Sequence, residues 1–462
     1  MTLIQDPHQI LNTDLYQLTM AAGYFTEGMA NRQASFELYV RRLPNNRSFL
    51  LAAGLEQAID YLSKLSFNAE EIQWLRQLPV FAGISQDFFD YLADFRFSGE
   101  VWALAEGTVF FPYEPILRVT APLIQAQLVE TWLLAMLNYQ ISVASKAARM
   151  RLAIESAPTS GRKAAFIDFG SRRAHGPQAS LLAARAAWVG GATGTSNVLA
   201  GQLLGIPTVG TAAHAWTMAF ADEATAFAAY RHSFPGHGTL LVDTYDTLQG
   251  VRHAIASGPG LQGIRLDSGD FLELSRESRK LLDQADMSDT RIVVSGDMNE
   301  FKIRDLLAAG APIDLFGVGT ELVTSLDAPS LGGVYKLVEV EDGHGGLRRA
   351  LKLSSSKTSY PGCKQIWRSH TGGTLAGDTL GLNHENGTGT PLLEQVMRDG
   401  KLTRPHPELK AVQQHSLTQL AQLPEPLKQL EGKEAYPVAL SAGLQNLFET
   451  LKREIEHKEM ES

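Results

Sequence analysis

The sequence predicts an α/β protein: a mixed amino-terminal domain followed by a parallel, closed or nearly closed barrel. Two observations carry this. From 164 to about 340 the pattern is apolar run, polar loop and helix, repeated about every 20 to 30 residues. The runs are short and apolar on both faces, as strands covered on two sides must be. Repeated βα units give a parallel sheet, and six or more favour a ring, with an open doubly wound sheet as the runner-up. At 462 residues the chain is too long for one small core, so two or three domains are expected.

Taken in order, Thr13 and Asp14 can cap a helix in which Leu15, Leu18, Ala22 and Phe25 recur at helical spacing. Tyr16 and Gln17 lie off that stripe, and a half-buried surface aromatic is the plain reading of Tyr16. Residues 34–44 alternate Phe36, Leu38 and Val40 with Glu37, Tyr39 and Arg41, which predicts a strand with a polar face. Helices are expected over 54–65 and 69–78, short strands over 95–121, and a long helix over 124–153 that crosses into the next unit. Strand cores follow at 165–167, 207–209, 240–242, 263–266, 292–294 and 313–316. Between them lie helices such as 271–282, which Asp270 can cap. The stretch 371–390, rich in Gly and Thr, reads as a mobile loop, either a lid or a surface excursion.

Polar residues gather at the ends of these strands. They are Asp168-Phe169-Gly170-Ser171-Arg172-Arg173, Thr211 with His214, Asp243-Thr244-Tyr245-Asp246, Arg265 with Asp267-Ser268-Gly269-Asp270, Ser295-Gly296-Asp297, and Gly317-Val318-Gly319-Thr320. In a barrel those positions converge on the face where loops build the active site. Gly-rich turns let backbone amides approach an anion, and Arg172, Arg173 and Arg265 add cations, so the set suits a polyphosphate or phosphosugar. Asp243, Asp267 and Asp297 could hold Mg²⁺ through its water shell, although Asp270 and Asp297 could equally be helix caps. His214 follows an apolar run and residues too small to cover it, which leaves it facing a ligand rather than packed over.

Composition sets limits. The net charge of −9 argues against a nucleic-acid or acidic-membrane partner, and no apolar run is long enough to span a bilayer. The first residues lack a signal-peptide pattern, so a cytoplasmic protein is expected. The single cysteine, Cys363, excludes an internal disulfide, a cysteine-rich zinc site and a CxxC pair. It lies in a Pro-Gly-Cys-Lys turn with no histidine near it in sequence, which makes a thiol nucleophile a poor reading.

Nearly the whole chain resembles the nicotinate phosphoribosyltransferase family. The motifs that carry this are TDLYQLTM, FELYVRRLP, DFGSRRAHG, GTSNVLAG, GIPTVGTAAHAW, LLVDTYDT, GIRLDSGD, VVSGDMNE, FGVGTELVTS and SSKTSYPGCKQIWR. The resemblance implies an irregular TIM-like α/β barrel with an amino-terminal mixed domain completed by carboxy-terminal segments. The expected divisions are 1–123, 124–340 and 341–462. It implies that nicotinate and 5-phosphoribosyl 1-diphosphate give nicotinate mononucleotide and pyrophosphate, coupled to ATP hydrolysis in NAD salvage, with Mg²⁺ as cofactor.

By position, His214 matches the family histidine that ATP phosphorylates. Tyr16 matches the aromatic that stacks on the pyridine ring from a neighbouring subunit, opposite Phe169, which implies a homodimer with shared sites. Thr211 and Arg265 match residues around nicotinate, with Arg265 facing its carboxylate. Arg172, Gly296, Asp297, Gly319 and Thr320 match phosphoribosyl- and phosphate-binding positions. Asp243 and Asp267 match acidic groups near the reacting ribose, and Asp243 and Asp297 the metal. Ala215 departs from the hydroxyl or acid that often follows the histidine. The Gly194-Thr195-Ser196 loop, which offers no acidic acceptor for an amide, favours nicotinate over nicotinamide. An aldolase-type barrel would need a lysine at a strand end, and none of the six loops offers one. A catalytically silent binding protein would not need both His214 and Arg265.

Overall fold

A computed structural model describes residues 9–157, 163–236, 238–354, 357–432 and 434–461. The chain divides into two compact units, Val143–Pro329 and the pair of segments Met1–Ser142 and Ser330–Ser462. The expected division at 124 and 340 differs from this at both ends. Gly333–Glu341 is not a barrel strand, because it pairs antiparallel with Gln33–Val40 in the other unit's sheet.

The unit Val143–Pro329 is built on a parallel sheet in the order Ala165–Asp168, Leu315–Val318, Arg291–Val294, Gly263–Leu266 and Thr239–Leu241. Single parallel bridges from Asp168 to Thr195 and from Thr195 to Thr208 extend it past its first strand. The last strand in sequence therefore lies beside the first, and the others follow in sequence order around the sheet. That is the order of a ring, not of a doubly wound sheet, in which the order reverses at a switch point. The fold is thus an irregular α/β barrel. The run 207–209, expected to be a strand, contributes only the bridge at Thr208, and Pro207 beside it has no N–H to give a ladder. Among the described residues no ladder joins Thr208 to Thr239–Leu241, and the connection across this seam carries Thr211 and His214.

Five helices of this unit begin at a side-chain cap. Asn197, Asp222, Asp246, Asp270 and Asn299 each accept a backbone N–H in the first turn of the helix they precede. Asp270 therefore has the capping role that the sequence allowed. Asp297 does not: Asn299 caps Glu300–Ala308, while Asp297 has a φ of 46° in the loop before it.

The other unit contains an antiparallel sheet in the order Leu347–Arg349, Gly333–Glu341, Gln33–Val40, Leu117–Pro122, Glu100–Leu104, Leu393–Arg398 and Lys401–Leu402. The polar face expected of the strand at 34–44 is not solvated. Glu37 is fully buried and meets the buried Lys364 ammonium at 2.7 Å, a pairing between residues far apart in sequence that alternation cannot reveal. The Thr371–Thr390 stretch is also corrected, since it is mainly strand: Lys364–Thr371 and Thr374–Leu382 form a hairpin. Its two turn residues, Gly372 and Gly373, both have positive φ, as the tight turn requires. Asp14 precedes the helix Leu15–Thr26 without a side-chain cap bond, and its carboxylate accepts from Thr131 instead. Cys363 is buried, which pushes its thiol up to about 12 and away from nucleophilic chemistry. No helix among the described residues is long and apolar enough to cross a membrane.

Candidate active site

The centre of the site is Arg265, the third residue of the strand Gly263–Leu266. Its side chain emerges at the strand end among four groups. Nε donates to Ser295 Oγ at 2.7 Å, Nη1 to Thr211 Oγ1 at 2.9 Å and Nη2 to Asp267 Oδ1 at 2.7 Å. The guanidinium lies 5.4 Å from the centre of the Phe169 ring. Three of its five N–H groups are thus engaged among the described residues, and the planar fork keeps two donors for a ligand.

Phe169 is held by its own backbone, whose N–H donates to Val318 O on the neighbouring strand at 2.8 Å. Gly317 makes room for the ring, because a Cβ there would lie 2.4 Å from the Phe169 ring. Below it, Asp168 is fully buried and accepts from the Gly170 N–H at 2.8 Å and the Thr195 hydroxyl at 2.7 Å. Burial raises the Asp168 carboxyl above its ordinary range, and these two donors oppose that rise. Asp168 therefore braces the turn that carries Phe169.

Asp267 receives the Ser295 hydroxyl as well as Arg265. Burial pushes its carboxyl up, but the Ser295 hydroxyl, the Arg265 guanidinium and His214 outweigh that and hold it below the ordinary value. Asp243, one strand away, accepts from the Asp267 N–H and the Ser268 hydroxyl, both at 2.8 Å on Oδ2. Its other oxygen, Oδ1, is buried with no hydrogen-bond partner among the described residues. A buried carboxylate oxygen without a partner is costly and suits a ligand that brings a donor or a cation.

His214 opens a five-residue helix, His214–Met218. Its Nδ1 lies 3.2 Å from Thr244 Oγ1 and its Nε2 3.9 Å from Asp267 Oδ2. The imidazole is partly exposed. One ring nitrogen is oriented by the threonine, and the other faces the Asp267 carboxylate.

Two Gly-containing loops complete the cluster. A Cβ at Gly296 would lie 2.3 Å from the Asp267 carbonyl oxygen, and φ is 96°, so only glycine fits this close crossing of neighbouring loops. Asp297 is exposed, with Gly319 and Thr320 half-buried after the next strand. Arg172 and Arg173 stand exposed on the single turn Ser171–Arg173. The structure thus joins Phe169, Thr211, His214, Asp243, Arg265 and Asp267 through direct contacts or a shared partner. Arg172, Asp297, Gly319 and Thr320 sit on adjacent strand-end loops without joining that network. Tyr16 lies in the other unit, 48% exposed on Leu15–Thr26, beside Gln17, whose side chain donates to Glu130. Sequence reasoning gave no role to Ser295 or Thr244. Their position, first after a strand or next to Asp243, was the available signal.

Three family models match the chain in order. They describe the nicotinate phosphoribosyltransferase amino-terminal domain over 11–138, the nicotinate phosphoribosyltransferase family over 164–343 and its carboxy-terminal domain over 382–448. A nicotinate phosphoribosyltransferase of Mycobacterium tuberculosis is 44% identical over 439 residues, covering 93% of this chain and 91% of the relative. The chain belongs to the nicotinate phosphoribosyltransferase family. Another member, from Bacillus subtilis, is 38% identical, covering 95% of this chain and 94% of its own length. The crystal structure of human nicotinic acid phosphoribosyltransferase superposes with a TM-score of 0.82 at 30% identity, covering 95% of this chain and 99% of that one. Membership of this family agrees with the resemblance read from the motifs, including those around His214, Arg265 and Gly319.

Proposed function

We propose that the chain transfers the phosphoribosyl group of 5-phosphoribosyl 1-diphosphate to the ring nitrogen of nicotinate, releasing pyrophosphate. The observation that carries this is Arg265. A guanidinium held on three sides, beside an aromatic face and with two donors free, is suited to an aromatic carboxylate. Phe169 supplies one stacking face, and Tyr16 of a second copy supplies the other in a homodimer. In the transfer, the nicotinate nitrogen gives its electron pair to the ribose carbon as the bond to pyrophosphate breaks and the leaving group takes that bond's electrons. Positive charge develops on the ribose, and the carboxylates of Asp243 and Asp267 are already fixed to meet it. Arg172, the Gly296-Asp297 turn and the Gly319-Thr320 turn hold the phosphates.

ATP coupling is part of the proposal. A neutral His214 imidazole accepts the γ-phosphoryl group, ADP leaves, and water later releases the phosphate. Thr244 and Asp267 hold the ring for this, and the added negative charge alters the phosphate loops. Ala215 contributes no side-chain group to the step. Magnesium fits the partnerless Oδ1 of Asp243, with Asp297 as a second carboxylate. No group of three His, Cys, Asp or Glu among the described residues forms a ready-made metal cage, which agrees with an ion carried largely by the substrate's phosphates and its own waters. Bound there, it would neutralise the departing pyrophosphate.

The test is a product assay with nicotinate, 5-phosphoribosyl 1-diphosphate and Mg²⁺, with and without ATP. Nicotinate mononucleotide with an ATP-stimulated rate and matching ADP is expected. Product without any ATP effect would remove the coupling, and absence of product would overturn the reading.

A further inference from the structure

The helix Glu130–Glu155 is apolar along most of its length, yet Lys146 and Arg149, one turn apart, are buried in it. Lys146 is 1% exposed, and its ammonium touches three carboxylates: Glu300 at 2.7 Å, Asp327 at 2.8 Å and Glu321 at 3.1 Å. Arg149 Nε holds the other oxygen of Glu300 at 2.9 Å. Glu300 begins the helix that follows the Ser295-Gly296-Asp297 loop, and Glu321 follows Thr320 at the end of the Gly317-to-Thr320 loop.

We infer that Lys146 is a positioning residue that clamps these two loops to each other, setting the spacing of the turns that receive the substrate's phosphates. The inference rests on the phosphate-binding reading of those loops given above. An ammonium has three donors on one atom and here meets three carboxylates, a convergence that the planar fork of arginine does not reproduce. Burying such a cluster is costly, and an apolar replacement is often as stable, so stability alone gives little reason for it. Position gives a better one. Backbone amides that grip a phosphate lose effect when misplaced by about 1 Å, and the two loops share no covalent link shorter than a strand and a helix. Asn299 Nδ2, which points to Glu321 Oε1 at 3.5 Å, adds a second tie between the same loops.

The test uses the full chain with Lys146→Met, Lys146→Arg, Glu321→Gln and Asp327→Asn. It reads inorganic pyrophosphate affinity by calorimetry, KM for each substrate, and the unfolding midpoint. Glu321→Gln is expected to weaken pyrophosphate binding and raise KM for 5-phosphoribosyl 1-diphosphate by about 2- to 30-fold, while KM for nicotinate stays within about twofold. Lys146→Arg is expected not to restore the native values. If Lys146→Met fails to fold, the two carboxylate variants decide. Unchanged pyrophosphate affinity in both, or a parallel rise in both KM values, overturns the clamp. Asp297→Ala separates the two readings. If it leaves pyrophosphate binding intact, the loop reading has failed. If it weakens binding while Glu321→Gln and Asp327→Asn do not, only the clamp has failed.

Discussion

Ser295 Oγ accepts from Arg265 Nε at 2.7 Å and donates its own O–H to Asp267 Oδ1, so one hydroxyl joins the cation and the anion of the site. The serine is buried, and neither neighbour can rotate without breaking a bond. Ser295→Ala removes both links at once. The expected result is a loss of about tenfold or more in kcat/KM for nicotinate, the size of one charge-assisted hydrogen bond. Steady-state kinetics at saturating 5-phosphoribosyl 1-diphosphate measures it, and an unchanged value would mean that Arg265 is held without the serine.

Gly317→Ala tests the other side of the guanidinium. The added Cβ lies within the Phe169 ring's space, so the ring or the strand must move. A stability loss of about 1–3 kcal/mol is expected from urea unfolding, together with a higher KM for nicotinate. Stability lost with KM unchanged would show that Phe169 does not face the ligand.

His214→Ala is expected to abolish ATP stimulation and ADP formation while leaving slow ATP-independent synthesis of the mononucleotide. Thr244→Ala should lower the stimulated rate only, because Thr244 orients one ring nitrogen. ATPase activity that survives in His214→Ala would exclude the phosphohistidine.

Acid sensitivity follows from Glu300. Burial raises its carboxyl, but Lys146 and Arg149 outweigh this and hold it below its ordinary value of 4.5. A carboxylate depressed in the folded state contributes stability that is fully present above its ordinary value and is lost as pH falls through the folded one. Glu300→Gln should therefore destabilise the protein at neutral pH and flatten the fall in stability below about pH 4.5. Denaturant midpoints from pH 3 to 7 check it, and an acid limb as steep as the parent's would contradict it.

These residues also show what the sequence could carry. The strand-end positions of Asp168, Asp243, Arg265, Ser295 and Val318 follow from apolar runs of four or so residues, and local pattern is enough to find them. The pairing of the last strand with the first is not local, so ring and doubly wound sheet stayed open until the register of Leu315 against Ala165 settled the order. Lys146 was hidden for a related reason. A single lysine in a helical apolar pattern has no signal of its own, since its three partners lie 154, 175 and 181 positions away along the chain (300 − 146, 321 − 146 and 327 − 146). Glu37, buried against Lys364, is the same case in the other unit. The hairpin at Gly372-Gly373 was legible, because two glycines between alternating residues are a turn signal, but the Thr and Gly content of the whole stretch outweighed it.

Tyr16 carries the quaternary prediction. An exposed aromatic beside exposed Leu15 and Met20 suits a partner surface. Light scattering should give a dimer, and Tyr16→Ala should raise KM for nicotinate. A fully active monomer would remove the shared site.

Arg265 gives the most direct test of all, because the account assigns it the carboxylate that separates nicotinate from its amide. The measurement is the ratio of kcat/KM for nicotinate over nicotinamide, in the parent chain and in Arg265→Gln. A strong preference for nicotinate is expected in the parent, about a hundredfold or more for a charge pair closed off from water, with its collapse in the variant. Equal turnover of the two by the parent, or a preference that survives the substitution, would contradict it.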